Sequence, residues 1–536
     1  MAHSRFSPAH LSGCPLATAP ELPSSASSDA AIDADDQHET LTKHVYIPQE
    51  LLDSIIDCLH DDSESLRACA LTARSWRPRS QTHIHHTLKV TCRWQCTQAE
   101  NVYSDPALAS CIRELHIQDL SLKRYGDREH WVDQCVPAML SKLNQDHPLA
   151  IESVIIQNGH DIEWGSHPDP FFPNVTKLTV RRLNFRVGAE FTSFMRHFPR
   201  VSSLTLDDFT IAYRTRDIAA PGPRPPLRDL EICSSPGQEF FMNWFLHQSP
   251  EDIQLQSFVY PIERWQVRAP KPSLKALGAS VKDLTIVFAF ASPHYLLKGD
   301  PLLPHLSSLR NLTFDHTTLF GTLYGPPSIP VLLKEISAAH VSTVRFRFML
   351  DNQYTPLEQS VEKLERINLG HADTILDDLQ PFHELQDVTV QICSRDWAKL
   401  MRLPDADDWI AADTEQRRVF SEKYCVTSRR PTDLSALRAS SPERDHHPDP
   451  EVERVHREAE LSLERGNIRR ARSDYEKARD TWDQATSVVQ KALPTMASRN
   501  MLRIEPLDDA APERLSSQPR YYNAYQYERA HRVLFQ

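Results

Sequence analysis

Glycine is scarce in this sequence, with 13 residues among 536, and only Gly321 and Gly325 lie within five residues of each other. Loops that hold nucleotide phosphates need closely spaced glycines, because backbone N–H groups must come close to the phosphate oxygens. Neither GxxxxGK[ST] nor GxGxxG occurs in the sequence. This absence excludes a dedicated nucleotide site of either type.

Long apolar runs and an excess of basic residues are also missing. The longest notable uncharged run, from Leu284 to Leu297, has 14 residues and contains Pro293, whereas a membrane-spanning helix needs about 20 apolar residues. Residues 1–30 lack the apolar core of a secretory signal. The net charge is −12, which does not indicate a basic nucleic-acid-binding domain. We therefore expect neither a membrane nor a nucleic acid as a partner.

The sequence contains no HExxH, no GxSxG and no kinase-like set of motifs. We therefore expect a protein that is not an enzyme, with no catalytic residues, no cofactor and no metal. Its ten scattered cysteines favour reduced thiols and a cytoplasmic or nuclear location. One group has residue types that suit zinc: His83, His85, His86, Cys92 and Cys96. Its loose CxxxC spacing and adjacent histidines favour a structural role instead.

The segment IPQELLDSIIDCLHDDSESLRACALTARSW, residues 47–76, predicts a compact helical hairpin. Apolar residues from Leu51 to Leu59 form a helical stripe, and Pro48 suits the first turn. Asp62 and its neighbours offer an N-cap for a second helix, which Pro78 is expected to end. A short third segment follows, through His83, Ile84 and Leu88. Three short helices bury little surface alone, so we expect a partner or a neighbouring domain to cover one apolar face.

A strand-like pattern, apolar-x-x-apolar-x-apolar, recurs after residue 110. Its fourth positions are Leu115, Val154, Leu178, Leu204, Leu230, Phe258, Leu284, Leu312, Val344, Ile367 and Val388. Helical stretches often separate these strands, for example 189–198, 238–248 and 329–340. One strand and one helix every 20–29 residues are typical of a leucine-rich-repeat solenoid, although the Asn or Cys of regular repeats is missing. Each unit of such a solenoid packs on the next to form one continuous core.

The sequence closely resembles an F-box over residues 47–90, and fungal F-box proteins in its tail, SQTHIHHTLKV. The matching residues are Ile47, Pro48, Glu50, Leu51, Leu52, Ile55, Ile56, Leu59, Leu66, Cys69, Leu71, Arg74 and Trp76. A departure is His86, where an aromatic residue such as Phe is commoner. The resemblance implies an N-terminal three-helix F-box that docks on the adaptor subunit of an SCF-type cullin–RING ubiquitin ligase. The expected adaptor-binding residues are Pro48, Leu51, Leu52, Ile55 and Leu66.

The fold class expected from these observations is α+β or α/β. The predicted organisation is a disordered leader at 1–43, an F-box at 45–90, an irregular leucine-rich-repeat-like solenoid at 105–400, a linker at 427–452, a helical segment at 453–496 and a poorly ordered tail at 497–536.

The function implied is that of a non-catalytic substrate receptor, whose repeat region holds an unknown target protein. The alternative is an interaction scaffold that acts outside a ubiquitin ligase.

Three further signals admit two interpretations each. Residues 466–482 resemble one helix of a tetratricopeptide unit, but a lone unit favours a single amphipathic helix. Trp164, Trp244 and Trp265 could anchor a substrate, although core packing is favoured. Two arginine groups could pair with a phosphate, although a solvated surface is favoured: Arg181, Arg182 and Arg186, and Arg345 and Arg347.

Overall fold

The computed structural model of the chain describes residues 47–119, 131–144, 149–159, 164, 170–213, 224–233, 237–247, 252–262, 277–278, 280–288, 303, 305–316, 328–336, 340–349, 361–362, 364–365, 367, 369–378, 380–415 and 450–507. The chain divides into two compact units, residues 1–52 and residues 53–536. The predicted leader at 1–43 lies outside the described residues, as does the predicted linker up to residue 449.

Three short helices lie at the start of the described chain: α1 (Gln49–Asp57), α2 (Ser63–Thr72) and α3 (Arg77–Ile84). Asp62 caps α2, because its carboxylate accepts hydrogen bonds from the backbone N–H groups of Glu64 and Ser65, both at 3.1 Å. The predicted N-cap is thus present.

The end of the second helix differs from the prediction. Helix α2 ends at Thr72, and Pro78 lies in the first turn of α3. Proline is tolerated in a first turn because the N–H that it lacks would have no helical partner there. Leu88, expected in the third helical segment, lies in a strand instead.

Among the described residues, twelve strands form one parallel sheet, which establishes a mixed α/β fold. In spatial order the strands are β1 (Thr87–Val90), β2 (Glu114–Gln118), β3 (Ser153–Gln157), β4 (Lys177–Arg181), β6 (Ser203–Asp207), β8 (Asp229–Cys233), β9 (Ser257–Ile262), β10 (Asp283–Phe288), β11 (Asn311–His316), β12 (Thr343–Met349), β13 (Asp387–Cys393) and β14 (Leu502–Leu507). A separate parallel pair consists of β5 (Asn184–Val187) and β7 (Thr210–Tyr213). The spatial order of the strands in the large sheet is the same as their order along the chain.

The register of the sheet follows the sequence pattern. Ten of the eleven fourth positions form one row of directly paired residues, from Leu115 with Val154 to Val344 with Val388. Their side chains are at most 2% exposed, because alternate residues of a strand point to the same face. The sheet extends this row in both directions, with Leu88 at one end and Leu502 at the other.

One predicted strand is wrong. Residues 364–365 are helical and Ile367 lies in a bend, so LERINL does not join the sheet. The first two apolar positions of this segment, 364 and 367, also fit one helical turn because they are three residues apart. Leu364 is buried at 1% exposure, which shows that its apolar character serves packing outside the sheet.

Helices pack on one face of the sheet and complete the core. They are α4 (Arg93–Val102), α5 (Pro106–Ala109), α6 (Trp131–Leu143), α7 (Gly188–Met195), α8 (Gln238–Leu246), α9 (Ser328–Glu335), α10 (Leu369–Asp378) and α11 (Arg395–Arg402). A continuous set of buried side chains extends from Leu88 to Met496. Trp164 and Trp244 belong to it, with 1% and 2% exposure, so both tryptophans serve the core. Trp265 lies outside the described residues.

The chain turns sharply after three consecutive strands of the sheet. Asn158, Arg182 and Asp208 each follow a strand directly and have φ values of 62°, 53° and 51°. Asn and Asp tolerate this left-handed region better than most residues. The turns at Arg182 and Asp208 lead the chain into β5 and β7, where the N–H of Thr210 donates to the carbonyl of Leu183 at 2.8 Å.

The last described segment completes the sheet. Helix α12 (Pro450–Ala492) and helix α13 (Pro494–Ser498) precede β14. The second half of α12 buries Ala471, Tyr475, Ala478, Ala485 and Val489. No regular structure was expected at 497–536, but residues 502–507 form the terminal strand of the sheet. Residues 508–536 lie outside the described residues.

Candidate functional site

Helix α1 leaves apolar side chains in solvent. Leu51 and Ile55 are each 56% exposed, and they lie one turn apart on the same helix. The neighbouring residue Ile56 faces a different direction and is only 1% exposed. An amphipathic helix normally buries its apolar residues. The exposed pair is therefore a candidate contact surface for another molecule.

The remaining predicted adaptor-binding residues differ in accessibility. Pro48 is exposed and Leu52 is half-buried. Leu66 is 1% exposed, so its side chain is not accessible to a partner. Leu66 therefore packs against its neighbours in this structure, and its role as a contact residue stays a prediction. The sequence pattern grouped all five apolar residues together but could not show which of their side chains are buried and which are exposed.

Leu71 is a candidate that the sequence analysis did not include among the contact residues. It lies near the end of α2 and is 88% exposed, the highest value among the exposed large apolar side chains of the described chain. Thr72 is the last residue of this helix. The position of Leu71 near the end of a helix could have indicated this exposure, because the end of a helix buries less of its surface than the middle.

A charged cluster joins α1 to α3. The Asp57 carboxylate accepts from Arg79 through Nε at 2.5 Å and Nη2 at 2.7 Å, and His83 Nε2 lies 2.7 Å from Asp57 Oδ1. The hydrogen bonds from Arg79 and then from His83 lower the pKa of Asp57 well below its usual range. The cluster therefore fixes the orientation of the helix that carries Ile55.

The residues considered for zinc have other partners. His83 binds Asp57, and His85 Nδ1 lies 3.3 Å from the Tyr103 hydroxyl. Burial raises the pKa of Cys96 to about 12, so its thiol is protonated at neutral pH, whereas zinc binds thiolate. Within the described residues, no group of three or more His, Cys, Asp or Glu side chains is arranged to hold a metal ion.

The face of the sheet opposite the helices is polar. Its middle row of paired positions includes His116, Thr205, Glu231, Thr285 and Arg345. These five side chains are half-buried, whereas Thr179, Thr313 and Thr389 of the same row are buried. Such a face offers hydrogen-bond donors and acceptors to a partner.

The two predicted arginine groups are engaged to different degrees. Arg186 Nε is 3.0 Å from Glu190 Oε1. Arg347 donates to Gln391 Oε1 at 2.8 Å and lies 3.7 Å from Asp315. These contacts favour a structural role for both residues over phosphate binding.

A cavity of about 680 Å³ lies between α6 and residues 170–174. Its lining includes Pro137, Pro170, Phe171 and Pro173, with Asp133 as the charged residue. The lining also includes Ser141, and among the described residues it has no histidine, cysteine or lysine.

Comparisons with protein-family models, with curated proteins and with solved structures found no match to this chain. In the described part of the chain, no helix has the length and apolar character needed to cross a membrane.

Proposed function

We propose that this protein is a non-catalytic substrate receptor of an SCF-type cullin–RING ubiquitin ligase. The observation that carries the proposal is the exposure of Leu51 and Ile55 on α1, at 56% each. An apolar pair in solvent at a segment that resembles an F-box is what docking on an adaptor requires. Pro48 is exposed as well, and Leu71 is a separate exposed apolar residue at the end of α2.

The second part of the proposal concerns the target protein. We take the parallel sheet and its helices as an irregular leucine-rich-repeat-like solenoid, whose polar strand face binds a target. The direct pairing of successive strands in one register supports this assignment, because repeat proteins pack each unit on its neighbour. Half-buried polar residues such as Thr205, Thr285 and Arg345 would supply the contacts.

The mechanism proposed is proximity. A receptor holds a lysine of the target close to a ubiquitin thioester carried by another protein, which turns a bimolecular encounter into a nearly intramolecular one. The residues of this chain bind and position and do not form or break covalent bonds. The location expected for such a receptor is cytoplasmic or nuclear.

The test is a binding measurement with the purified adaptor. We expect Leu51→Asp combined with Ile55→Asp to weaken adaptor binding by about a hundredfold or more, because two charges would enter an apolar interface. Circular dichroism and the melting temperature should stay unchanged, since both side chains are exposed. The matched control is Leu461→Asp combined with Leu463→Asp, two exposed residues of α12 at 46% and 67%, which should bind like the wild type.

The alternative is a scaffold that acts outside a ubiquitin ligase. Its support is the polar strand face, which would serve a scaffold equally well. Wild-type protein that does not bind the adaptor would overturn the receptor proposal and favour the scaffold. Adaptor binding together with recovery of neddylated cullin would favour the receptor.

A further inference from the structure

The first half of α12 differs from the second half in how much of its surface is covered. From Ala471 onward one face of the helix is packed: Ala471 and Tyr475 are buried, and the ring centroids of Tyr475 and Trp409 lie 5.8 Å apart. Between residues 454 and 470, every described side chain is exposed except that of Asn467, which is half-buried. The described side chains of the first half therefore lie in solvent.

Two apolar residues continue the buried stripe into this exposed half. Ile468 precedes Ala471 by three residues and Leu461 precedes Ile468 by seven, spacings that keep side chains on one helical face. Their side chains are 39% and 46% exposed. Leu463 is more exposed, at 67%, but it lies about 200° around the helix axis from Leu461 and so belongs to another face. The face of Leu461 and Ile468 is thus a core stripe without a cover among the described residues.

Charges of opposite sign flank Leu461 on this face. Glu458 lies three residues before it and Arg465 four residues after it, which places both within about 60° of Leu461 around the helix axis. Both side chains are exposed. Glu458 forms an ion pair with Arg454 at 3.0 Å, but these side chains are 64% and 60% exposed. An ion pair in solvent contributes little stability, so the Glu458 carboxylate can exchange this contact for another cation.

We propose that the exposed half of α12 pairs antiparallel with the same helix of a second copy of this chain. Around a two-fold axis beside Leu461, a residue three before Leu461 in one copy lies level with a residue three to four after it in the other. Glu458 of each copy then meets Arg465 of the other, on either side of a contact between the two Leu461 side chains. A parallel pair would place equal charges together, so the charges select the antiparallel arrangement.

The length of the open face determines how strong this contact is. Residues 450–470 of α12 extend over about 30 Å, at 1.5 Å per residue, and beyond them the face is covered. An overlap of this length lies at the low end of specific interfaces, so we expect a dissociation constant in the micromolar range. The face is complementary to itself in charge, which favours a second copy over an unrelated helix. The inference does not depend on adaptor binding.

The experiment is sedimentation velocity of the full-length protein between about 1 and 100 μM. We expect the wild type to dimerise, and Leu461→Asp to raise the dissociation constant by about tenfold or more, because it places two carboxylates at the centre of the contact. Leu463→Asp is the matched control, since it adds the same charge to another face of the same helix and should dimerise like the wild type. The melting temperatures of both variants should match that of the wild type, because both side chains are exposed.

An exchange of charges tests whether the partner is a second copy. Glu458→Arg and Arg465→Glu should each weaken self-association by about tenfold, because each creates two contacts between like charges. An equimolar mixture of the two variants should restore the dimer, since opposite charges then meet at both contacts. A mixture that stays as monomeric as its components would overturn the proposal, as would equal effects of Leu461→Asp and Leu463→Asp. A monomeric wild type whose melting temperature falls with Leu461→Asp would also overturn it, and would assign the face to another segment of the same chain.

Discussion

Asp57 is the residue on which the orientation of the first helices depends. Its carboxylate contacts Arg79 and His83 of α3 from the last position of α1. A bidentate pair with arginine fixes direction as well as distance. The half-exposed carboxylate, at 40% exposure, does this without being buried.

We predict that Asp57→Asn loosens the contact between α1 and α3. The amide keeps the shape but loses the negative charge that Arg79 binds, so backbone amides of α3 should exchange with deuterium about tenfold faster. Hydrogen exchange followed by mass spectrometry measures this. Asp61→Asn is the control, because Asp61 is 91% exposed and contacts His60 alone among the described residues. Equal effects of the two variants would contradict the role of Asp57.

The same residue predicts a pH dependence. Its pKa is lowered on folding from 3.8, so the carboxylate stabilises the fold at pH values above 3.8 and loses this effect as pH falls below it. The difference in exchange between the wild type and Asp57→Asn should therefore shrink in acid and persist at neutral pH. A difference that grows in acid would contradict this assignment.

At the scale of elements, two glycines have opposite environments. Gly278 lies against the backbone carbonyl of His305, which a Cβ at this position would meet at a forbidden distance. Gly466 lies within α12, and a Cβ there would meet nothing within 4 Å. Glycine is needed in the first case and weakens the helix in the second.

We predict that Gly278→Ala destabilises the protein by about 1–3 kcal/mol, because a backbone atom cannot move aside as a side chain can. Gly466→Ala should instead stabilise α12 by about 0.5–1 kcal/mol. Chemical denaturation of the two variants beside the wild type measures both changes. The two variants control for each other, because both replace glycine with alanine and the expected changes in stability have opposite signs.

The C-terminal element shows where sequence patterns lose information. The spacing of Ala471, Tyr475 and Ala478 predicted an amphipathic helix, and these residues are buried. What they pack against was not predictable, because the partners are distant in sequence: Tyr475 donates to the carbonyl of Pro404 at 2.6 Å, and Trp397 donates to Thr481 at 3.1 Å. The strand at 502–507 was missed for the same reason, since it pairs with β13 across more than a hundred residues.

At the scale of the whole molecule, most of the sheet was predictable. The recurring apolar triplets define ten of its strands, because a strand buried on one face repeats every second residue. LERINL was misassigned because a short apolar run fits either a strand or a helical turn. The candidate site was less predictable. Periodicity grouped Leu66 with Leu51 and Ile55, and only the packing separates the buried residue from the exposed pair.

We predict that the sheet responds locally to damage. Leu178→Ala in β4 and Leu312→Ala in β11 remove the same side chain from the same paired row, and both leucines are fully buried. Each should cost about 2–5 kcal/mol, but the loss of hydrogen-exchange protection should centre on the altered strand and decline with distance, because each unit contacts its neighbours. Uniform loss across all strands in both variants would contradict this expectation.

The pairing of β13 with β14 has a consequence for synthesis. Every earlier strand finds its neighbour soon after both leave the ribosome, whereas Cys393 must wait for Leu507, its partner in the register. At usual elongation rates of 5–20 residues per second, the intervening stretch takes roughly 5–20 s to translate. During that interval β13 presents an open edge that can recruit other nascent chains. A translation product interrupted in this stretch would keep the open edge, so protection of β13 from aggregation depends on the synthesis of β14.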